Sequence, residues 1–209
     1  DFRIIMLNYT YGTNGLKVDI PRIINYIDKE IMKGDIAEAK LFNPDFIIAN
    51  MHWGLEYERI PSREQRELAD WLLRQGVDLV IGSHPHVVQP MELRRGKEGV
   101  TDRLVVYSLG NFISNMSREH TDGGVMVKVV LGRKGLRRYI VSAQYSLIYS
   151  SRYKNEQGKE DIRVVPAASW LGKNQNSSFS VDSALIKYVN NTRLFLKGNN
   201  KEVEEYIFE

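Results

Sequence analysis

The 209-residue chain contains no cysteine. Disulfide frameworks and thiolate metal sites are thereby excluded, and any metal must be held by imidazole, carboxylate or amide groups. Proline and glycine are sparse, with 6 and 16 residues. Together with an apolar share of 43% this describes a folded globule long enough to bury its own core. No apolar run approaches the roughly 20 residues that span a bilayer, and no signal-peptide pattern opens the chain. Excess charge is also scarce, at a formal +3. Much of the excess sits in short glycine-containing runs such as Arg94-Arg95-Gly96-Lys97 and Arg133-Lys134-Gly135-Leu136-Arg137-Arg138, which read as solvated hairpin tips. Without a basic helix or an aromatic-basic stripe, nucleic acid is a poor partner. Weak steering of an anionic phosphate or polyacid fits the balance better.

What is present is an alternation of short apolar runs and helical patterns. Phe2–Leu7 reads as a buried strand that enters the core almost at once, which implies a partner half upstream. After a polar loop from Asn8 to Gly15, Asp19-Ile20-Pro21 opens a helical pattern. Ile20, Ile23, Ile24, Ile27 and Ile31 share one face of it, and Gly34-Asp35 breaks it before a short helix over Ile36–Leu41. Asp45–Asn50 is a second strand. Ser62-Arg-Glu-Gln65 has capping-box form, Leu68, Ala69, Trp71, Leu72 and Leu73 follow at helical spacing, and Gly76 is placed to end that helix. Val77–Ile81 is a third strand. Beyond it the pattern changes to hairpins, with strands over Val87–Leu93, Leu104–Tyr107, Val125–Leu131, Leu136–Tyr149 and Asp161–Ala167. Lys154–Lys159 is expected to be a flexible loop, and Asp182 to about Lys197 a C-terminal helix. The whole chain, 1–209, is expected to be one α/β domain, with 150–209 as an extension.

Histidine is scarce too, with 4 residues, yet three of them lie just beyond predicted strands. His52 follows the second strand, and His84 and His86 follow the third. A strand–helix–strand unit places both strand ends on one edge of a parallel sheet, where open α/β sheets hold ligands. Proline disfavours the α region for the residue before it, so His84 is expected to be extended, with His84 and His86 on the same side. Neutral imidazole is a common ligand for Zn, Mn and Fe ions. His120, in a polar turn, reads as an ordinary loop residue.

The motifs Met51-His-Trp-Gly-Leu-Glu-Tyr57, Gly82-Ser-His-Pro-His-Val-Val-Gln-Pro90 and Tyr107-Ser-Leu-Gly-Asn-Phe112, with Pro61 and Gln65 between them, resemble the capsule-synthesis (poly-γ-glutamate synthesis, CapA-type) family. That family is related to the calcineurin-like metallophosphoesterases. The resemblance implies a layered α/β/β/α sandwich of the metallophosphoesterase type, incomplete at its N-terminus, and two divalent metal ions (Mn, Fe or Zn) in the full-length protein. His52 and His84 would hold one ion and His86 the other, with His86 also the catalytic candidate; the remaining ligands would come from upstream. Asn14, Glu56, Gln89 and Asn111 are candidates for orienting substrate. The implied activity is hydrolysis of an anionic ester or a related linkage. The alternative is a non-catalytic accessory, binding polymer during polyglutamate synthesis or export. Implied partners are the N-terminal half of the same fold, an anionic polymer or phosphoester, and other capsule-synthesis components, at the cell envelope.

Overall fold

The computed structural model describes residues 2–97, 101–135, 137–174 and 183–207. Strand β1 (Ile4–Thr10) leads into helix α1 (Lys29–Leu41), and β2 (Phe46–His52) into α2 (Arg63–Gln75). Strands β3 (Leu79–Ser83), β4 (Met91–Arg94) and β5 (Arg103–Val106) complete a five-stranded sheet in the order β1-β2-β3-β5-β4. β1, β2, β3 and β5 run parallel, and β4 is antiparallel on β5. The second sheet is antiparallel, with β6 (Gly123–Lys134), β7 (Arg137–Lys154) and β8 (Glu160–Pro166) in order; the short β9 (Glu204–Glu205) pairs parallel with β7. Helices α3 (Ala167–Asn174) and α4 (Ser183–Asn199) follow β8. The fold is a mixed α/β sandwich.

Alternation along the strands explains the layering. In β2, Ile47, Ala49 and Met51 face Met32, Ile36 and Ala39 of α1 and Ala69 and Leu72 of α2. Phe46 and Ile48 face the other way, into a core shared with Val125 of β6, Leu147 and Tyr149 of β7, and Leu185 and Tyr188 of α4. Helix α2 is specified locally, as its sequence predicts. Ser62 Oγ accepts from Gln65 N, Gln65 Oε1 accepts from Ser62 N, and Gly76 closes the helix at φ 103°. At the far end of the parallel sheet, buried Asp78 accepts from Ile47 N at 2.8 Å and from Arg103 at 2.6 Å, tying β2, β3 and β5 together. Among the described residues no helix is long and apolar enough to cross a membrane.

Several local expectations are corrected. The isoleucine-rich stretch from Ile20 is not helical: Ile20 and Ile23 are 95% and 86% exposed. Its backbone is taken by β1 instead, with Thr10 N donating to Asn25 O and Ile27 N to Thr10 O. Asp28 then supplies the cap, accepting from Glu30 N and Ile31 N, so one helix runs straight through Gly34. β1 extends to Thr10, three residues past the predicted end, and β4 is shorter than predicted, leaving Val87–Pro90 outside it. The 154–159 segment is a built hairpin turn, in which Asn155 Oδ1 accepts from Gln157 N and Lys159 N. The 133–138 run is a hairpin tip between β6 and β7, with Leu136 outside the described residues. Arg94 and Arg95, by contrast, are not simply solvated, since they pair with Asp70 and Glu92 and with Asp102 and Glu202. The C-terminal helix matches its expected span, although Asp182 lies outside the described residues.

Two glycines test this account in opposite directions. A methyl group on exposed Gly34 would meet nothing within 4 Å, so Gly34→Ala is expected to stabilise the protein by about 0.5–1 kcal/mol. A Cβ on Gly82 would lie 1.9 Å from the Tyr107 carbonyl oxygen and 2.5 Å from Trp53 Nε1. Gly82→Ala is therefore expected to cost about 3 kcal/mol or more. Urea midpoints of the two variants, read against the parent, check both signs.

Candidate metal centre

Register brings the strand ends together. Thr10 lies opposite His52, and His52 opposite Ser83, so the loops leaving β1, β2 and β3 start side by side. Trp53 N donates to Ser83 O, and the indole Nε1 donates at 2.9 Å to the Tyr107 carbonyl at the end of β5. The ring of Trp53 passes where a Gly82 side chain would stand. Loop 54–60 is then anchored from below: Gln89 Nε2 donates to Glu58 O at 2.7 Å, and Gln89 Oε1 accepts from Gln65 Nε2 at 2.8 Å. Tyr57 N donates to Pro85 O at 2.7 Å, fastening this loop to the histidine segment.

The rings converge. His52 and His84 have centroids 4.7 Å apart, and His84 and His86 6.1 Å. Ligand atoms of Glu56, His84 and His86 all lie within 4.8 Å of one another, the one such His/Asp/Glu grouping among the described residues. His52 stands against His84 but outside that group. The convergence has a different cause from the one the sequence suggests. His84 and His86 sit at φ 99° and 61°, in left-handed backbone, not on an extended segment. Proline restrains His84 from the α region, and the tight exit from β3 takes it across to positive φ. Tyr57, at φ 69°, is bent the same way. Each such non-glycine residue costs on the order of 1–3 kcal/mol, which surrounding contacts must offset.

The donor set suits a divalent ion. Two imidazoles and a carboxylate are a recurrent ligand combination for Zn and Fe. Asn111 settles the tautomer of His86. Its Nδ2 donates to Thr121 O at 2.9 Å, which turns its Oδ1 toward His86 Nδ1, also at 2.9 Å. The proton is thus on Nδ1, and Nε2 keeps its lone pair for a ligand. Burial, and then the neighbouring imidazole charge, hold His52 and His84 below the ordinary histidine value. Both are therefore neutral near pH 7, as coordination requires.

The other predicted residues divide. Glu56 joins the ligand group itself, where the sequence reading made it a substrate contact. Gln89 is fully buried, and its amide is engaged between Glu58 and Gln65, so it braces the loop instead of facing a substrate. Asn111 is a brace for His86. Asn14 accepts a hydrogen bond from the Tyr11 hydroxyl, and Tyr11 packs 4.5 Å from His84 and parallel to His52 at 5.8 Å. Tyr11, Tyr57 and Arg118 escaped the sequence reading. Tyr57 stacks on His86 at 6.0 Å, and the Arg118 guanidinium lies 4.0 Å from the Tyr57 ring centroid. Tyr11 adjoins Gly12 and Tyr57 closes the Met51–Tyr57 motif, but nothing local marks Arg118.

The downward shifts of His52 and His84 have a measurable consequence. A group whose folded value lies below its unfolded value favours folding above the latter and loses that contribution as pH falls through the former. NMR titration of the metal-free protein is expected to place both midpoints below 6.5, with conformational stability falling in the same window.

Comparison with known proteins gives the family. Residues 1–116 match the family described as bacterial capsule synthesis protein PGA_cap. The chain is 35% identical over 115 residues to PGA biosynthesis protein CapA of Bacillus subtilis (strain 168), across 55% of this chain and 28% of that protein. It is 35% identical over 107 residues to Capsule biosynthesis protein CapA of Bacillus anthracis, across 51% of this chain and 24% of that protein. The matched stretch thus spans about a quarter of either relative.

Proposed function

We propose, for a chain that belongs to the bacterial capsule synthesis protein family PGA_cap, that Glu56, His84 and His86 hold a divalent ion and serve hydrolysis of an anionic ester or related linkage. The process would be capsule or poly-γ-glutamate biosynthesis at the cell envelope. The observation that carries the reading is the convergence of three ligand atoms within 4.8 Å at the carboxyl edge of a parallel sheet.

Each residue has a part that its surroundings support. Glu56 supplies the anionic ligand, and its loop is fastened by Gln89 and by the Tyr57–Pro85 hydrogen bond. His84 and His86 supply imidazole nitrogens. Asn111 keeps the His86 ring in one tautomer and orientation. His52, beside His84 and close to Ser83 Oγ at 3.4 Å, stands where it can ligate a second ion or pass a proton to a leaving oxygen. A bound divalent ion would acidify a water molecule and polarise the scissile group. A fuller ligand shell would draw on the N-terminal half of the fold, and other capsule-synthesis components would be partners.

Metal uptake and hydrolysis test this directly. Manganese or zinc binding, followed calorimetrically and by elemental analysis, is expected at about one ion per chain. His84→Ala should abolish it with the circular dichroism spectrum intact. Asn111→Ala, which only frees the His86 ring, is expected to weaken binding about 10- to 100-fold. Turnover of a chromogenic phosphodiester should follow metal occupancy. A wild-type protein that takes up no ion would instead leave the non-catalytic polymer-binding role.

A further inference from the structure

Arg94, Arg95, Arg103 and Arg193 each reach a carboxylate within 3.1 Å. Arg59 and Arg118 do not: among the described residues neither has a carboxylate within the 4.0 Å of an ion pair. Both are nevertheless held in place. The Arg118 guanidinium lies over the Tyr57 ring, 4.0 Å from its centroid, and that ring stacks on His86 at an interplanar angle of 26°. Arg118 is therefore one tyrosine ring removed from a residue of the metal-ligating group. Arg59, two residues beyond Tyr57, lies over the Phe195 ring at 3.8 Å. Its Nε is shut off from solvent and has no hydrogen-bond partner among the described residues.

A buried N–H left unpaired costs about 1–3 kcal/mol, so its persistence asks for a reason. The turn that carries Arg118 is itself fixed. Thr121 N and Oγ1 both reach back to Arg118 O, and Thr121 O holds Asn111, which holds His86. Arg59 belongs to the same corner, because its charge helps to depress the His120 imidazole, second only to burial. A guanidinium lying against an aromatic face keeps its in-plane donors free at the rim. That is the geometry for two-point binding of a carboxylate or phosphate.

We propose that Arg118, supported by Arg59, forms an oxyanion-binding subsite beside the Glu56–His84–His86 group and takes an anionic group carried by the substrate. The subsite rests on that group being the reacting centre, and its ligand is a carboxylate or a phosphate. The arrangement selects an anionic chain over a neutral one and sets its register against the ligand group through the Tyr57 stack.

Calorimetric titration of the whole chain with inorganic phosphate, and separately with a short γ-linked glutamate oligomer, tests this without requiring turnover. Arg118→Ala is expected to weaken binding of the recognised anion about tenfold or more, and manganese binding should be unchanged. Arg118→Lys should recover only part of the loss, since an ammonium lacks the planar fork, and Arg59→Lys should also weaken binding. Response to phosphate alone, or to the oligomer alone, identifies the source of the oxyanion. Identical titrations for wild type and Arg118→Ala would overturn the subsite, as would a wild type that binds neither anion. Arg118-dependent anion binding without manganese uptake would sink the metal reading and leave the subsite standing.

Discussion

A single buried contact sets the geometry of this site: the indole N–H of Trp53 donating across Gly82 to the carbonyl of Tyr107. It joins the carboxyl ends of β2, β3 and β5, from which the functional loops depart. The indole occupies space that only a glycine leaves open, so the strand ends are held by sterics as well as by a hydrogen bond. In a dry interior such a bond is electrostatically strong, and a lone carbonyl there would be costly. His52 precedes this contact directly, His84 follows Gly82 by two residues and Asn111 follows Tyr107 by four. Their meeting depends on it.

Above that lock sits a second polar arrangement. Gln65 caps its own helix with Oε1 and reaches Gln89 with Nε2, and Gln89 passes the support to the backbone of Glu58. A helix terminus, a buried amide and a surface loop are joined in one chain. Gly54, at φ 86°, bends tightly over the Gln65 amide, where a Cβ would come within 2.6 Å. Loop 54–60 is thus a supported element although it has no regular structure. Such support is what permits positive φ at Tyr57, His84 and His86, and it keeps Glu56 within reach of two imidazoles.

The family match ends at residue 116, before the second sheet begins, yet the start of that sheet braces the candidate centre. Asn111 N donates to Gly123 O, Val125 N donates to Leu109 O, and Thr121 O holds the Asn111 amide. A Cβ at Gly124 would come within 2.6 Å of both the Leu109 and the Asn111 carbonyl oxygens, so the two backbones touch there. The antiparallel half therefore orients a side chain that motif reading assigns to the parallel half. It also carries the turn from which Arg118 reaches Tyr57. The two sheets share one core and, at this edge, one site.

Features governed by near neighbours were legible in the amino-acid order. The capped helix from Arg63 to Gln75, the parallel pairing that flanks it, the basic hairpin tip and the placement of three histidines at or just beyond strand ends all follow from capping chemistry and periodicity. Features that depended on distant groups were not. Thr10 claimed the backbone of Asn25 and Ile27, so a good helical pattern became an exposed strap and the helix began at Asp28. The left-handed turns of His84 and His86, the burial of Gln89 and the union of Glu56 with two imidazoles arise from contacts between loops far apart in the chain. Periodicity reports only which face of an element is apolar, and it is silent on which loop will meet which. Only the closed sandwich decides that.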